Sequence, residues 1–184
     1  NLVLHLDGAR IFNAAISLNV QASDLTRSVD SVTFCLSKGL CAPVGSVLCG
    51  SSEFIGKARR LRKMLGGGMR QAGILAAAGL VALDCMIERL AEDHKRARLL
   101  AKGLAEVPGL RLDKGTPYTN MVYLALDPEV RLDAPAIVKA MEKQGILIGD
   151  TGKRTFRLVT HQDVDDEAVA TCIEAFQKVM SRAV

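Results

Sequence analysis

The spacing of apolar and polar residues changes several times along this chain, and each change marks an element. Residues 2–6 (Leu-Val-Leu-His-Leu) are apolar on both faces except at His5. That is the pattern of a parallel strand covered on both sides. The run starts with no turn or cap ahead of it, so an upstream half is expected. Asp7-Gly8 turns the chain and a helix begins at Ala9. Residues 31–36 (Ser-Val-Thr-Phe-Cys-Leu) read as a second strand ending at Ser37-Lys38-Gly39. Pro43-Val44-Gly45 marks a turn before a third strand at 46–49. The third strand follows too closely for a helical crossover, so it should run antiparallel to its neighbour.

Helical spacing covers 53–65, a basic helix broken by Gly66-Gly67-Gly68, because successive glycines are poor helix formers and reach positive φ. From Met69 the pattern is helical to about Leu104, with Gly79 marking close packing against the sheet. After Pro108-Gly109, strands are expected at 121–126, 146–148 and 155–159, with helices at 134–143 and 165–180. The reading is α/β in two domains, 1–88 and 89–184, with the boundary inside the long helix near Ile87.

Composition narrows the classes. Across 184 residues, 49% are hydrophobic, enough for a sizeable core. The net charge of +4 traces largely to Arg59-Arg60-Leu61-Arg62-Lys63. Aromatics are 4% and tryptophan is absent, which argues against a nucleic-acid stacking surface. The five cysteines contain no Cys-x-x-Cys pair and the three histidines are scattered, so no metal site is expected. Reduced thiols in the cytoplasm are the expectation. The small-apolar run at 72–83 is too short to cross a bilayer, so no membrane partner is expected. No targeting peptide is visible.

Several residues carry chemistry by position. Asp7 and Lys38 each follow the carboxyl end of an apolar strand, where open α/β sheets place ligands. Taken singly, Lys38 is a surface lysine at a loop tip and Asp7 an acid opening a turn before glycine. Arg10 lies one helical turn beyond Asp7. Arg157, flanked by Phe156, Leu158 and Val159, should be paired, because a buried lone charge is expensive. Its partner is either a local acid or a ligand carboxylate, which matches the guanidinium fork. Lys63 and Arg70 flank the glycine run, on what is a solvated face, a nucleic-acid patch without an aromatic platform, or an anion-binding face. His5 reads as a packed strand residue and His94 as a surface helix residue. His161 either orients Arg157 or caps the last helix. Asn120 should satisfy backbone groups near a strand start.

Five motifs in order resemble the threonine aldolase family of fold-type I pyridoxal phosphate enzymes, over its C-terminal portion. They are Leu4-His5-Leu6-Asp7-Gly8-Ala9-Arg10; Leu36-Ser37-Lys38-Gly39-Leu40 with Ala42-Pro43-Val44-Gly45; Gly66-Gly67-Gly68-Met69-Arg70-Gln71-Ala72-Gly73; Thr119-Asn120-Met121-Val122; and Phe156-Arg157-Leu158-Val159-Thr160-His161. The resemblance implies part of an aminotransferase-like large domain (1–88) followed by a small C-terminal α/β domain (89–184). It implies pyridoxal 5'-phosphate, with Lys38 forming the Schiff base, Asp7 on the pyridine nitrogen and Arg10 against the phenolic oxygen. Arg157 would hold the substrate carboxylate. Arg70 and Lys63 would contact phosphate or substrate, across a subunit boundary included.

The implied reaction is aldol cleavage of L-threonine or L-allo-threonine to glycine and acetaldehyde by a dimer or tetramer. The family's phosphate loop and ring-stacking histidine belong to segments ahead of the Asp7 strand, so this chain alone is expected to bind cofactor poorly, and the general base is not assignable from these residues. Alternatives are a β-eliminating lyase or aminotransferase on the same scaffold, or a truncated, catalytically silent subunit that forms oligomers.

Overall fold

β-Branched and aromatic residues at 31–35 favour extended backbone. In the computed structural model, which describes residues 2–183, they form the middle strand of a three-stranded sheet. The chain divides into two units, 1–90 and 91–184. In the first, β1 (His5–Asp7) pairs parallel with β2 (Ser31–Cys35), and β2 pairs antiparallel with β3 (Ser46–Gly50). The β1–β2 crossover holds α1 (Ile11–Leu18), which ends at Asn19 in the left-handed conformation, φ 54°. Phe12 of α1 meets Phe34 of β2 edge-on, ring centres 5.2 Å apart.

Helix α2 (Ser52–Met64) starts at Ser51, whose hydroxyl accepts the Phe54 amide at 3.2 Å. No residue of α2 is buried. Helix α3 (Gly73–Cys85) buries Gly79 and Ala82. A Cβ at Gly79 would lie 3.1 Å from Leu36 Cδ1, so the glycine permits the helix to approach the end of β2. The core of this unit is small: Leu40, Ala42, Ala82 and Leu90, with Phe12, Ile16, Leu36 and Leu83 packed against it.

Helix α4 (Leu90–Ala105) leads into the second unit. There β4 (Leu110–Leu112), β5 (Met121–Leu126), β7 (Thr155–Val159) and β6 (Asp150–Gly152) form an antiparallel sheet in that order. Helices α5 (Ala134–Glu142) and α6 (Asp166–Met180) begin at Asp133 and Asp165. Their carboxylates accept the Ala136 and Ala168 amides at 3.0 and 2.8 Å, satisfying donors that have no partner inside the helix. One large core joins α4, α5, α6 and the sheet, with Phe156, Phe176, Leu104, Leu124, Ile137 and Met141 fully buried.

The architecture is mixed α/β, as the patterning implies, with local departures. Residues 2–4 are not a covered strand. Leu2, Val3 and Leu4 are 101%, 81% and 54% exposed, because among the described residues β1 has a partner on one edge only. The helix expected over 69–104 is two helices, interrupted at 86–89. The apolar run 146–148 is irregular, and the strand forms at Asp150–Gly152 instead. Ile146 and Ile148 pack on the core while Leu147 is exposed, so alternation survives without sheet pairing. Strand β4 was not anticipated. Among the described residues no helix is long and apolar enough to cross a membrane.

Candidate functional site

Asp7 ends β1, and Lys38 lies just beyond the end of β2, the adjacent parallel strand. The Asp7 side chain is exposed, and its Oδ1 accepts the Ala9 amide at 3.2 Å. That bond holds the turn and leaves Oδ2 uncommitted among the described residues. Gly8 makes the turn possible. Its amide donates to the Thr33 carbonyl at 2.8 Å, and a Cβ there would meet that oxygen and Val32 Cγ2 at 3.1 Å.

Lys38 sits in the connection from β2 to β3. This loop is closed at its base by the Leu36 amide donating to the Gly45 carbonyl (2.9 Å) and the Ala42 amide to the Leu36 carbonyl (3.0 Å). The Cys41 amide donates to the Lys38 carbonyl at 2.9 Å. Gly39, Leu40 and Ala42 are buried, whereas Lys38 is exposed and no carboxylate among the described residues pairs with it. The sequence thus fixes the lysine's backbone by burying its neighbours and leaves its amine available.

Arg10 precedes α1 and lines one open cavity of about 370 Å³ together with Asp7, Leu6, Gly8, Ile11 and Leu25. Lys38 is not among its lining residues. Lys63 lies at the end of α2, and Arg70 beyond the glycine run, where Gly66 has φ 83°. Both are exposed.

In the second unit, β7 alternates: Phe156 and Leu158 are buried, and Arg157 between them is exposed. The expectation that Arg157 is a buried charge in need of a partner is therefore overturned, because a strand sends neighbouring side chains to opposite faces. Its guanidinium is unpaired among the described residues. It lines a groove of about 570 Å³ with Leu147, Ile148, Thr160, His161 and Cys172. Burial pushes the Cys172 thiol up to about 11, so near neutrality it is no nucleophile. His161 Nδ1 accepts the Asp163 amide at 3.3 Å, which holds the turn before α6.

His94 is buried, contrary to the surface position expected. Burial and then Arg98 lower its pKa, opposed by Asp93. Asn120 is buried and its Nδ2 donates to the Thr160 carbonyl at 2.8 Å; Thr160 Oγ1 donates to the Asp93 carbonyl at 2.7 Å. His5, expected as a packed strand residue, is instead exposed on the sheet face, since nothing among the described residues covers it there. Its Nδ1 lies 2.8 Å from Ser31 Oγ and its Nε2 2.9 Å from Thr33 Oγ1. Neither hydroxyl was singled out in the sequence, although hydroxyls alternating with Val32 and Phe34 were the available signal.

An exposed amine and a carboxylate oxygen free to accept a ring N–H are groups a pyridoxal ring would use, and Arg10 lines the same cavity as that carboxylate. The beta-eliminating lyase family matches residues 1–127. Low-specificity L-threonine aldolase 1 of Arabidopsis thaliana is 46% identical over 177 residues, 96% of this chain and 49% of its own length. The low specificity L-threonine aldolase of Escherichia coli K12 is 43% identical over 184 residues, 99% of this chain and 52% of its own length. A solved Leishmania major threonine aldolase shares the fold with a TM-score of 0.71 at 21% identity, covering 97% of this chain and 52% of that one. The chain spans about half the length of the curated relatives it matches. By its sequence it belongs to the beta-eliminating lyase family.

Proposed function

We propose that this chain is part of a pyridoxal phosphate-dependent carbon–carbon lyase that cleaves L-threonine or L-allo-threonine to glycine and acetaldehyde. The observation that carries the reading is the placement of Asp7 and Lys38 after the carboxyl ends of paired parallel strands, in a chain whose relatives bear the threonine aldolase name. When bound, the cofactor supplies an electron sink for the charge left at Cα.

The protein's own residues hold and orient. Lys38 supplies the amine that attaches the cofactor and yields to the substrate amine. Asp7 accepts the ring N–H and keeps that proton in place, and Arg10 favours an ionised phenolic oxygen. Arg157 grips the substrate carboxylate with two parallel donors, while Arg70 and Lys63 contact phosphate or substrate. The β-hydroxyl proton leaves, the Cα–Cβ bond breaks, the aldehyde departs, and a proton returned to Cα completes glycine. On this reading 1–88 is the C-terminal part of a cofactor-binding domain and 89–184 a small domain. The assembly is a dimer or tetramer, and cysteines that form no disulfide among the described residues suit the cytoplasm.

The test is visible absorbance of the purified full-length protein with added pyridoxal phosphate, followed by product analysis. A band lost on borohydride treatment and missing in Lys38→Ala, with equimolar glycine and acetaldehyde, is expected. Pyruvate with ammonia would instead mean β-elimination, and an exchanged amino group a transaminase. A protein colourless with cofactor present would be catalytically silent. Light scattering at micromolar concentration should give a dimer or tetramer, and a monomer would refute the assembly.

A further inference from the structure

Asp7 stands on a slight support. β1 is three residues long and has one paired edge among the described residues, and parallel pairing is somewhat weaker per residue than antiparallel. The face that carries Asp7 also carries His5, two positions earlier. The strand register sets Ser31 opposite His5 and Thr33 opposite Asp7. The His5 ring spans both, with Nδ1 at 2.8 Å from Ser31 Oγ and Nε2 at 2.9 Å from Thr33 Oγ1. Thr33 works twice, since its carbonyl also accepts the Gly8 amide at 2.8 Å. The turn that aims Asp7 and the ring behind it are thus fastened to the same residue of β2.

A neutral imidazole donates from one nitrogen and accepts at the other, and a hydroxyl can take either role. The bridge is therefore complete without a charge beside the carboxylate. Both ring nitrogens are occupied, so His5 is not arranged to contact a ligand through them. Its action must pass through the strand.

We infer that His5 is a positioning residue for Asp7: clamped between Ser31 and Thr33, it fixes the end of β1 against β2, and with it the carboxylate that meets the cofactor ring nitrogen. This rests on the pyridoxal phosphate reading above and adds a residue which that reading does not use. Loss of the clamp is expected to weaken cofactor binding by about tenfold, or about 1.4 kcal/mol.

The test uses the full-length protein titrated with pyridoxal phosphate, reading the dissociation constant and the pH dependence of the visible band, which reports protonation around the ring. His5→Phe keeps bulk and removes both bonds, and Thr33→Val keeps shape and removes one partner. Each should weaken binding about tenfold and displace the band's pH profile. The double variant should be no worse than the weaker single, and Thr33→Ser should restore the wild-type behaviour.

Wild-type affinity and profile in Thr33→Val would overturn the inference, as would independent, multiplying effects in the double variant. Should His5→Phe fail to fold, the contrast of Thr33→Val with Thr33→Ser decides alone. A wild type that binds no cofactor refutes the lyase reading and this inference with it. A wild type that binds, with variants indistinguishable from it, refutes only the role of His5.

Discussion

The second unit closes on itself, and the first does not. Between α4, α5, α6 and the antiparallel sheet, Phe156, Phe176, Leu124, Ile137 and Met141 lose all contact with water, with Phe156 and Phe176 edge-to-face at 6.2 Å. In the first unit four residues form the buried cluster. Meanwhile α2 buries nothing, and Ile74, Leu80 and Val81 of α3 lie open at 82%, 62% and 59%. Among the described residues, the half that carries Asp7 and Lys38 thus has the smaller buried core. Burial of apolar area is the main stabilising term. Within the first unit, particular bonds hold Asp7 and Lys38 in place: the Gly8–Thr33 contact, the closed base of the lysine loop and the His5 bridge.

The contrast can be broken by mutation. Phe156→Ala should cost about 3–5 kcal/mol, read from denaturant midpoints; a cost below about 1 kcal/mol would mean the second core is not what holds that unit. Arg157→Ala, on the open face of the same strand, should raise KM for the amino acid about 100-fold, or about 2.7 kcal/mol, without moving the melting temperature. A melting shift with unchanged KM would make Arg157 structural instead.

In the first unit, Gly8→Ala should cost about 1–3 kcal/mol by crowding the Thr33 carbonyl, and weakened cofactor retention should accompany it. A smaller effect comes from His94. Its folded-state pKa lies below its ordinary value of 6.5, so the unfolded chain binds the proton more readily. Stability from this group is complete above 6.5 and declines as pH falls through and below that value. Chemical denaturation between neutral and mildly acidic pH should show a slope that flattens in His94→Gln. Leu80→Ala, at an exposed position, should stay within about 0.5 kcal/mol of wild type; a larger loss would show that the open face of α3 is covered in solution.

Much of this was legible from spacing. The hydroxyl and aromatic residues of β2, the tight return into β3 and the glycine beside Leu36 follow from local rules that the fold obeys. Asn120 does what its place before a strand suggested. Two of the misses needed a neighbour far along the chain, and one a local rule left unapplied. Residues 2–4 match a covered strand by composition, but cover is a tertiary property. Arg157 sits among apolar letters, yet strand alternation turns it outward. His94 has charged neighbours in sequence and is nonetheless buried in the second unit. Asp7 and Lys38 in the first unit and Arg157 in the second were singled out from the sequence, and their exposure and lack of ion-pair partners among the described residues suit the proposed roles. The bridge from His5 to Ser31 and Thr33 was illegible until the parallel register was known, because a shift of one residue would send those hydroxyls to the other face.

Gly45 carries a consequence for how this protein can change. Its φ of 118° lies where side chains rarely go, and its carbonyl receives the Leu36 amide that shuts the lysine loop. A randomised library over 39–45 selected for yellow colonies should return glycine at this codon far more often than proline at 43. Drift in this loop is confined by a backbone angle rather than by the chemistry at its tip.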